Sequence, residues 1–152
     1  MAERQLTIPR RVLVVDDELA ARTAVSGMVS GMGYPVRSCP GGKGALGYLK
    51  RHPAEVRLLL TDVTMPGMDG GELAERALAA APKVKIILMA EPGDGVAQGL
   101  VQAYPEFPVL EKPVAFAVLL ELLSRHLGPP ENLHPRQPPS RARWQRRRER
   151  SE

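Results

Sequence analysis

The sequence predicts an α/β fold in which a five-stranded parallel sheet is doubly wound, with helices on both faces. Three observations carry that prediction. Between residues 11 and 127, short apolar runs alternate with longer segments whose apolar residues recur at helical spacing. Successive runs are separated by enough chain for a helical crossover, which parallel pairing requires. The runs are nearly all apolar rather than alternating, as suits strands covered on both faces.

In chain order, the strands are drawn at Arg11–Asp16, Pro35–Cys39, Arg57–Asp62, Val84–Ala90 and Pro108–Glu111. The crossovers between and after them are helices at Leu19–Gly31, Lys43–Arg51, Gly71–Ala80, Gly95–Ala103 and Val114–Leu127. Val114, Val118, Leu119, Leu122, Leu123 and Leu127 form an apolar stripe on the last helix, and Gly128-Pro129-Pro130 stops it. The fourth helix is the weakest. Gly95 and Gly99 fall inside it, and an interior glycine costs about 1 kcal/mol relative to alanine, so this helix is expected to be short or mobile.

A length of 152 residues fits one domain. The single Cys39 excludes an internal disulfide and a multi-thiolate metal site, and reads as a small apolar residue at the end of the second strand. No apolar run approaches the roughly 20 residues of a membrane span, and Met1–Arg11 lacks the apolar stretch of a secretory signal, so no membrane span and a cytoplasmic location are expected. The net charge of +4 resides wholly in residues 129–152, which hold seven arginines and three glutamates. Residues 1–10 therefore read as an N-terminal extension, 11–127 as the folded domain, and 128–152 as a Pro/Arg-rich tail with too little apolar surface to fold alone. Trp144 among the tail's arginines is a mix that suits nucleic acid, but a solvated or partner-docking arm, or a contact with acidic membrane, is favoured over it.

In an open parallel sheet the functional crevice lies beyond the carboxyl ends of the strands. The residues there are Asp16, Asp17, Asp62, Ala90 and Lys112. Three carboxylates beside one ammonium make an oxygen-lined site for a hard cation such as Mg²⁺ next to a cationic side chain, which is the equipment of phosphoryl chemistry. Each part has a plainer reading. Asp16-Asp17-Glu18 could be an acidic helix cap, Asp62 a turn-starting aspartate, and Lys112-Pro113 a solvated lysine before a helix. Their joint occurrence favours the site.

At these residues the chain resembles the receiver domains of two-component response regulators, of which the chemotaxis response regulator is the minimal form. The resemblance rests on VLVVDDE (Val12–Glu18), LLLTDVTMPGMDGGEL (Leu58–Leu73) and VLEKP (Val109–Pro113), and covers roughly residues 10–127. It implies a flavodoxin-like strand order of 2-1-3-4-5. It also implies Asp62 as phosphoacceptor and Asp16, Asp17, Asp62 and the backbone carbonyl of Thr64 as Mg²⁺ ligands, with Lys112 on the phosphoryl oxygen. The implied donor is a histidine kinase or a histidine phosphotransfer protein, and a cis Lys112-Pro113 bond is frequent in the family.

The chain departs from the family at the two positions of its conformational switch. Ala90 stands where a Thr or Ser hydroxyl is usual, and Val109 where an aromatic ring is usual. Phosphorylation is expected to survive these changes, and the ordinary switch is not. The two positions that guide attacking water in the family are Thr64 and Pro92, neither with an acidic or amide side chain, which leads to the expectation of a long-lived aspartyl phosphate.

The leading reading is a stand-alone receiver that signals by binding a partner protein, or serves as a phosphorelay member or phosphate sink, with only self-catalysed phosphoryl transfer as chemistry. The wording TDVTMPGMDGGELAER is more similar to receivers of hybrid histidine kinases than to DNA-binding regulators. A phosphorylation-independent scaffold and a nucleic-acid-associated regulator using the Arg-rich tail are the alternatives, with a monomer or weak homodimer in each case. A haloacid-dehalogenase-type hydrolase fails because its second aspartate would fall at Thr64.

Overall fold

The computed structural model describes residues 9–130. Five strands and five helices alternate: β1 (Arg11–Val15), α1 (Leu19–Gly31), β2 (Val36–Cys39), α2 (Gly42–Arg51), β3 (Val56–Asp62), α3 (Gly70–Ala80), β4 (Lys85–Ala90), α4 (Gly95–Ala103), β5 (Val109–Glu111) and α5 (Phe116–Leu127). The strands form one sheet in the order β2-β1-β3-β4-β5, every pair parallel. The expected doubly wound sheet is what the chain forms, with bounds moved by one or two residues at several ends.

Alternate residues of the central strands feed two cores. Leu13, Val15, Leu59 and Leu88 face a layer containing Ala45 and Leu49 of α2 and Leu73, Ala74 and Ala77 of α3. Val12, Val14, Leu58, Leu60, Ile87 and Met89 face Val25 and Val29 of α1 and Leu119, Leu123 and Leu127 of α5. Burial on both faces explains the unbroken apolar runs of β1, β3 and β4.

Two expectations are corrected. The edge strands are not covered on both faces: Arg37 and Ser38 of β2 and Glu111 of β5 are exposed, because an edge is covered less completely than the centre. The apolar stripe of α5 is also narrower than expected, and the helix begins at Phe116 rather than Val114. Its buried line is Leu119, Leu123 and Leu127, and Val118 remains 48% exposed. This face of the sheet is shared with α1, so only one line of side chains at four-residue spacing is fully covered. The fourth helix is indeed short, at nine residues, and buries only Ala97.

Contacts continue past Leu127. The Tyr34 hydroxyl donates to the Gly128 carbonyl at 2.7 Å, and the Arg10 guanidinium donates to the carbonyls of Leu127 and Pro129. The expectations for residues 1–8 and for the arginine-rich part of the tail lie outside the described residues. Among the described residues no helix is long and apolar enough to cross a membrane.

Candidate functional site

β1 and β3 end side by side, and each delivers an aspartate to the carboxyl rim. Asp16 follows β1 and is fully buried, Asp17 is exposed, and Asp62 closes β3 at 8% exposure. One carboxylate oxygen from each of these three residues lies within 4.8 Å of the others. Three hard oxygen donors so close together fit a divalent cation of the Mg²⁺ kind. Lys112, just after β5, reaches into the same space. Its Nζ lies 2.9 Å from Asp16 Oδ2 and 3.2 Å from Asp62 Oδ2. The Lys112–Pro113 bond is cis.

Electrostatics follow from this packing. Burial raises the Asp62 pKa, and the charge on Asp16 adds to the rise, so that Lys112 and the backbone N–H of Thr64 oppose the shift without cancelling it. For Lys112, burial pulls the ammonium pKa down, but hydrogen bonds and charge from Asp16 and Asp62 outweigh it and the net shift is upward. The ammonium is thereby held charged between two carboxylates.

The local chain explains why these residues sit so. Asp16 is not the helix cap of the plainer reading: its Oδ1 accepts from the Glu18 amide at 3.0 Å, two residues on, while the residue before α1 is Glu18, whose side chain makes no cap. Asp62 belongs to β3 and not to a turn. After it, the chain passes through Met65-Pro66-Gly67, with Gly67 at φ +79°, and re-enters at α3, where Asp69 caps the Glu72 amide at 2.8 Å. The Gly70 amide donates to the Val63 carbonyl at 2.9 Å, setting the start of α3 directly on the end of β3.

Ala90 and Val109 are brought together, but in a groove of about 400 Å³ bounded by α4, which also involves Asp94, Ala97 and Gln98. Neither has a polar group or a ring. Ala90 reaches Lys112 only through its carbonyl, which accepts the Lys112 amide at 2.9 Å. Thr64 is exposed, and its hydroxyl donates to Asp94 Oδ2 at 3.2 Å.

Two residues escaped the sequence analysis. Arg22 of α1 donates to the Asp16 carbonyl at 2.8 Å and fixes the loop carrying the acidic pair. Its position one turn into a helix gave no signal. Asp94 caps α4 by accepting from the Val96 and Ala97 amides, a role its place before Gly95 could have suggested.

The sheet and its acidic rim are those of the signalling domains of two-component systems. The chain belongs to the response regulator receiver family: the family model for the response regulator receiver domain matches residues 12–124. The response regulator protein FleR of Pseudomonas aeruginosa is 31% identical over 118 residues, which are 76% of this chain and 24% of that protein. The receiver protein CpdR of Brucella abortus is 36% identical over 80 residues, covering 53% of this chain and 65% of CpdR. The chain thus spans less than two thirds of these relatives' lengths. Among solved structures, the chemotaxis protein CheY4 of Vibrio cholerae superposes with a TM-score of 0.69 at 26% identity, over 78% of this chain and 99% of CheY4. The receiver domain of the hybrid histidine kinase CckA gives 0.65 at 26% identity, over 77% of this chain and 98% of that one.

Proposed function

We propose that this receiver accepts a phosphoryl group on Asp62 from a phosphohistidine of a kinase or phosphotransfer protein, and that it works by protein–protein contact or as a relay member or phosphate sink. The observation that carries the reading is the placement of Lys112 Nζ 3.2 Å from Asp62 Oδ2, with the Asp16 and Asp17 carboxylates alongside. An Asp62 carboxylate oxygen attacks phosphorus and forms the P–O bond. The P–N bond to the donor imidazole, which is protonated at its other ring nitrogen, breaks with its electron pair staying on the former P–N nitrogen, and neutral imidazole leaves.

Asp16, Asp17, Asp62 and the Thr64 carbonyl are the groups that would hold Mg²⁺, which supplies charge neutralisation for the phosphoryl oxygens. The chain's own contributions are otherwise legible. Lys112 offsets the repulsion between a carboxylate nucleophile and an anionic phosphoryl group, Arg22 holds the Asp16 backbone in place, and the burial of Asp62 limits water at the acceptor.

The test is intact mass after incubation with acetyl phosphate, with and without Mg²⁺, for the wild-type chain and Asp62→Asn. A Mg²⁺-dependent gain of one phosphoryl group, absent from the variant, is the expected result. No gain in folded wild-type protein, from acetyl phosphate or from a kinase, would end this reading. Ala90 and Val109 favour one alternative, a scaffold indifferent to phosphate, for which partner affinity would be equal with and without the modification. The nucleic-acid alternative rests on the tail and calls for salt-dependent binding that is lost when the chain ends at Gly128.

A further inference from the structure

The hydroxyl and the ring that report phosphorylation elsewhere in the family are absent at Ala90 and Val109, yet another hydroxyl lies two residues beyond the acceptor. The Thr64 backbone N–H acts to lower the Asp62 pKa, and the Thr64 side chain donates to Asp94 Oδ2 at 3.2 Å. Thr61, the other hydroxyl next to Asp62, is buried and committed to the Asp62 carbonyl at 3.0 Å. Thr64 is exposed and can change partner.

Asp94 divides its two oxygens between two tasks. Oδ1 caps α4 through the Val96 and Ala97 amides at 2.9 and 3.2 Å, and Oδ2 takes the Thr64 hydroxyl. This ties the start of α4 to the loop after the phosphoacceptor. The tie matters because α4 is weakly held, with glycines at 95 and 99, a single buried residue, and Val96 51% exposed.

We infer that the Thr64–Asp94 hydrogen bond is the switch contact of this chain: phosphorylation of Asp62 draws the Thr64 hydroxyl to the phosphoryl group, releases Asp94 and loosens the first turn of α4. A hydroxyl has one hydrogen to donate. A phosphoryl oxygen carrying up to two negative charges is a stronger acceptor than a half-buried carboxylate that already receives two amides, and its charge also disfavours the approach of Asp94. The inference rests on the phosphoacceptor reading and supplies that site with an output that needs neither a hydroxyl at Ala90 nor a ring at Val109.

The experiment follows amide hydrogen exchange along α4 in the full chain, with Mg²⁺ and with or without beryllofluoride, whose binding is monitored separately by fluorine NMR. In wild type, beryllofluoride is expected to speed exchange at residues 96–100 about three- to tenfold, the effect of one lost hydrogen bond. Thr64→Val is expected to show the faster rate without beryllofluoride and no further change with it, while Thr64→Ser behaves as wild type. Asp94→Ser, which can still cap α4 but has no second oxygen, should match Thr64→Val. If beryllofluoride binds and wild-type exchange in α4 stays the same, or if Thr64→Val responds as fully as wild type, the switch is wrong and the acceptor site stands. If wild type binds no beryllofluoride, the acceptor reading fails and the switch with it.

Discussion

Gly70 rests against the backbone of Asp62 so closely that a Cβ added there would meet the Asp62 carbonyl oxygen at 2.3 Å and the Val63 Cα at 2.9 Å. No flexible side chain can yield at this contact. Gly70→Ala is therefore expected to cost about 3 kcal/mol, the upper part of the range for an inserted methyl group, and to disturb the position of Asp62. Urea unfolding measures the first effect and acetyl phosphate uptake the second; wild-type values in both would show that α3 can shift without consequence.

Replacing Asp62 should stabilise the fold at neutral pH. The folded-state pKa of Asp62 is raised, chiefly by burial, so its contribution to stability is fully present below the unfolded value and is lost as pH rises through the folded one. Above that window the buried charge is a cost. Asp62→Asn should melt higher than wild type at pH 7, and the gap should close as pH falls through the carboxylate range. A variant that melts lower at pH 7 would contradict the balance of burial over Lys112.

Lys112 works in the opposite sense. Its raised pKa gives stability that is present below the unfolded lysine value and is lost only as pH rises through the folded one, in the strongly alkaline range. Lys112→Met leaves the buried Asp16 and Asp62 carboxylates without their ammonium, at a cost of about 1–3 kcal/mol near pH 7. Denaturant midpoints against pH check it, since the deficit should be flat through neutrality and shrink in alkali, where Lys112 loses its proton, and in acid, where the carboxylates gain theirs.

Magnesium should raise thermal stability. A cation that binds only the folded acidic cluster adds RT ln(1 + [L]/Kd), about 2.7 kcal/mol at a hundredfold excess over Kd. Differential scanning calorimetry with increasing Mg²⁺ should show the rise in wild type and its loss in Asp17→Asn, the exposed member of the cluster. Equal melting curves at all Mg²⁺ concentrations would remove the metal from the mechanism.

The aspartyl phosphate, once formed, should be long-lived, because Pro92 has no side-chain donor or acceptor and Thr64 offers only a hydroxyl, with no acidic or amide group to orient an attacking water. Its decay followed by mass, beside a chemotaxis-type receiver under the same conditions, should be the slower of the two. Equal or faster decay would show that water is positioned by some other group.

The central strands and the acidic site were legible in sequence for a local reason. A strand buried on both faces must be apolar throughout, and a doubly wound sheet exposes the residues that end its strands, so β1, β3 and β4 pointed to Asp16, Asp62 and Ala90. Only the tertiary structure decided that Val118 leaves the core while Leu119 enters it, because that depends on how much of one sheet face α1 leaves to α5. It alone decided that Arg22 holds the Asp16 carbonyl, that Lys112 spans two carboxylates, and that Thr64 meets Asp94 thirty residues away. Periodicity and strand ends are properties of one segment and can be read from it; a hydrogen bond between two loops depends on both loops' paths over the sheet, which no single stretch of sequence encodes.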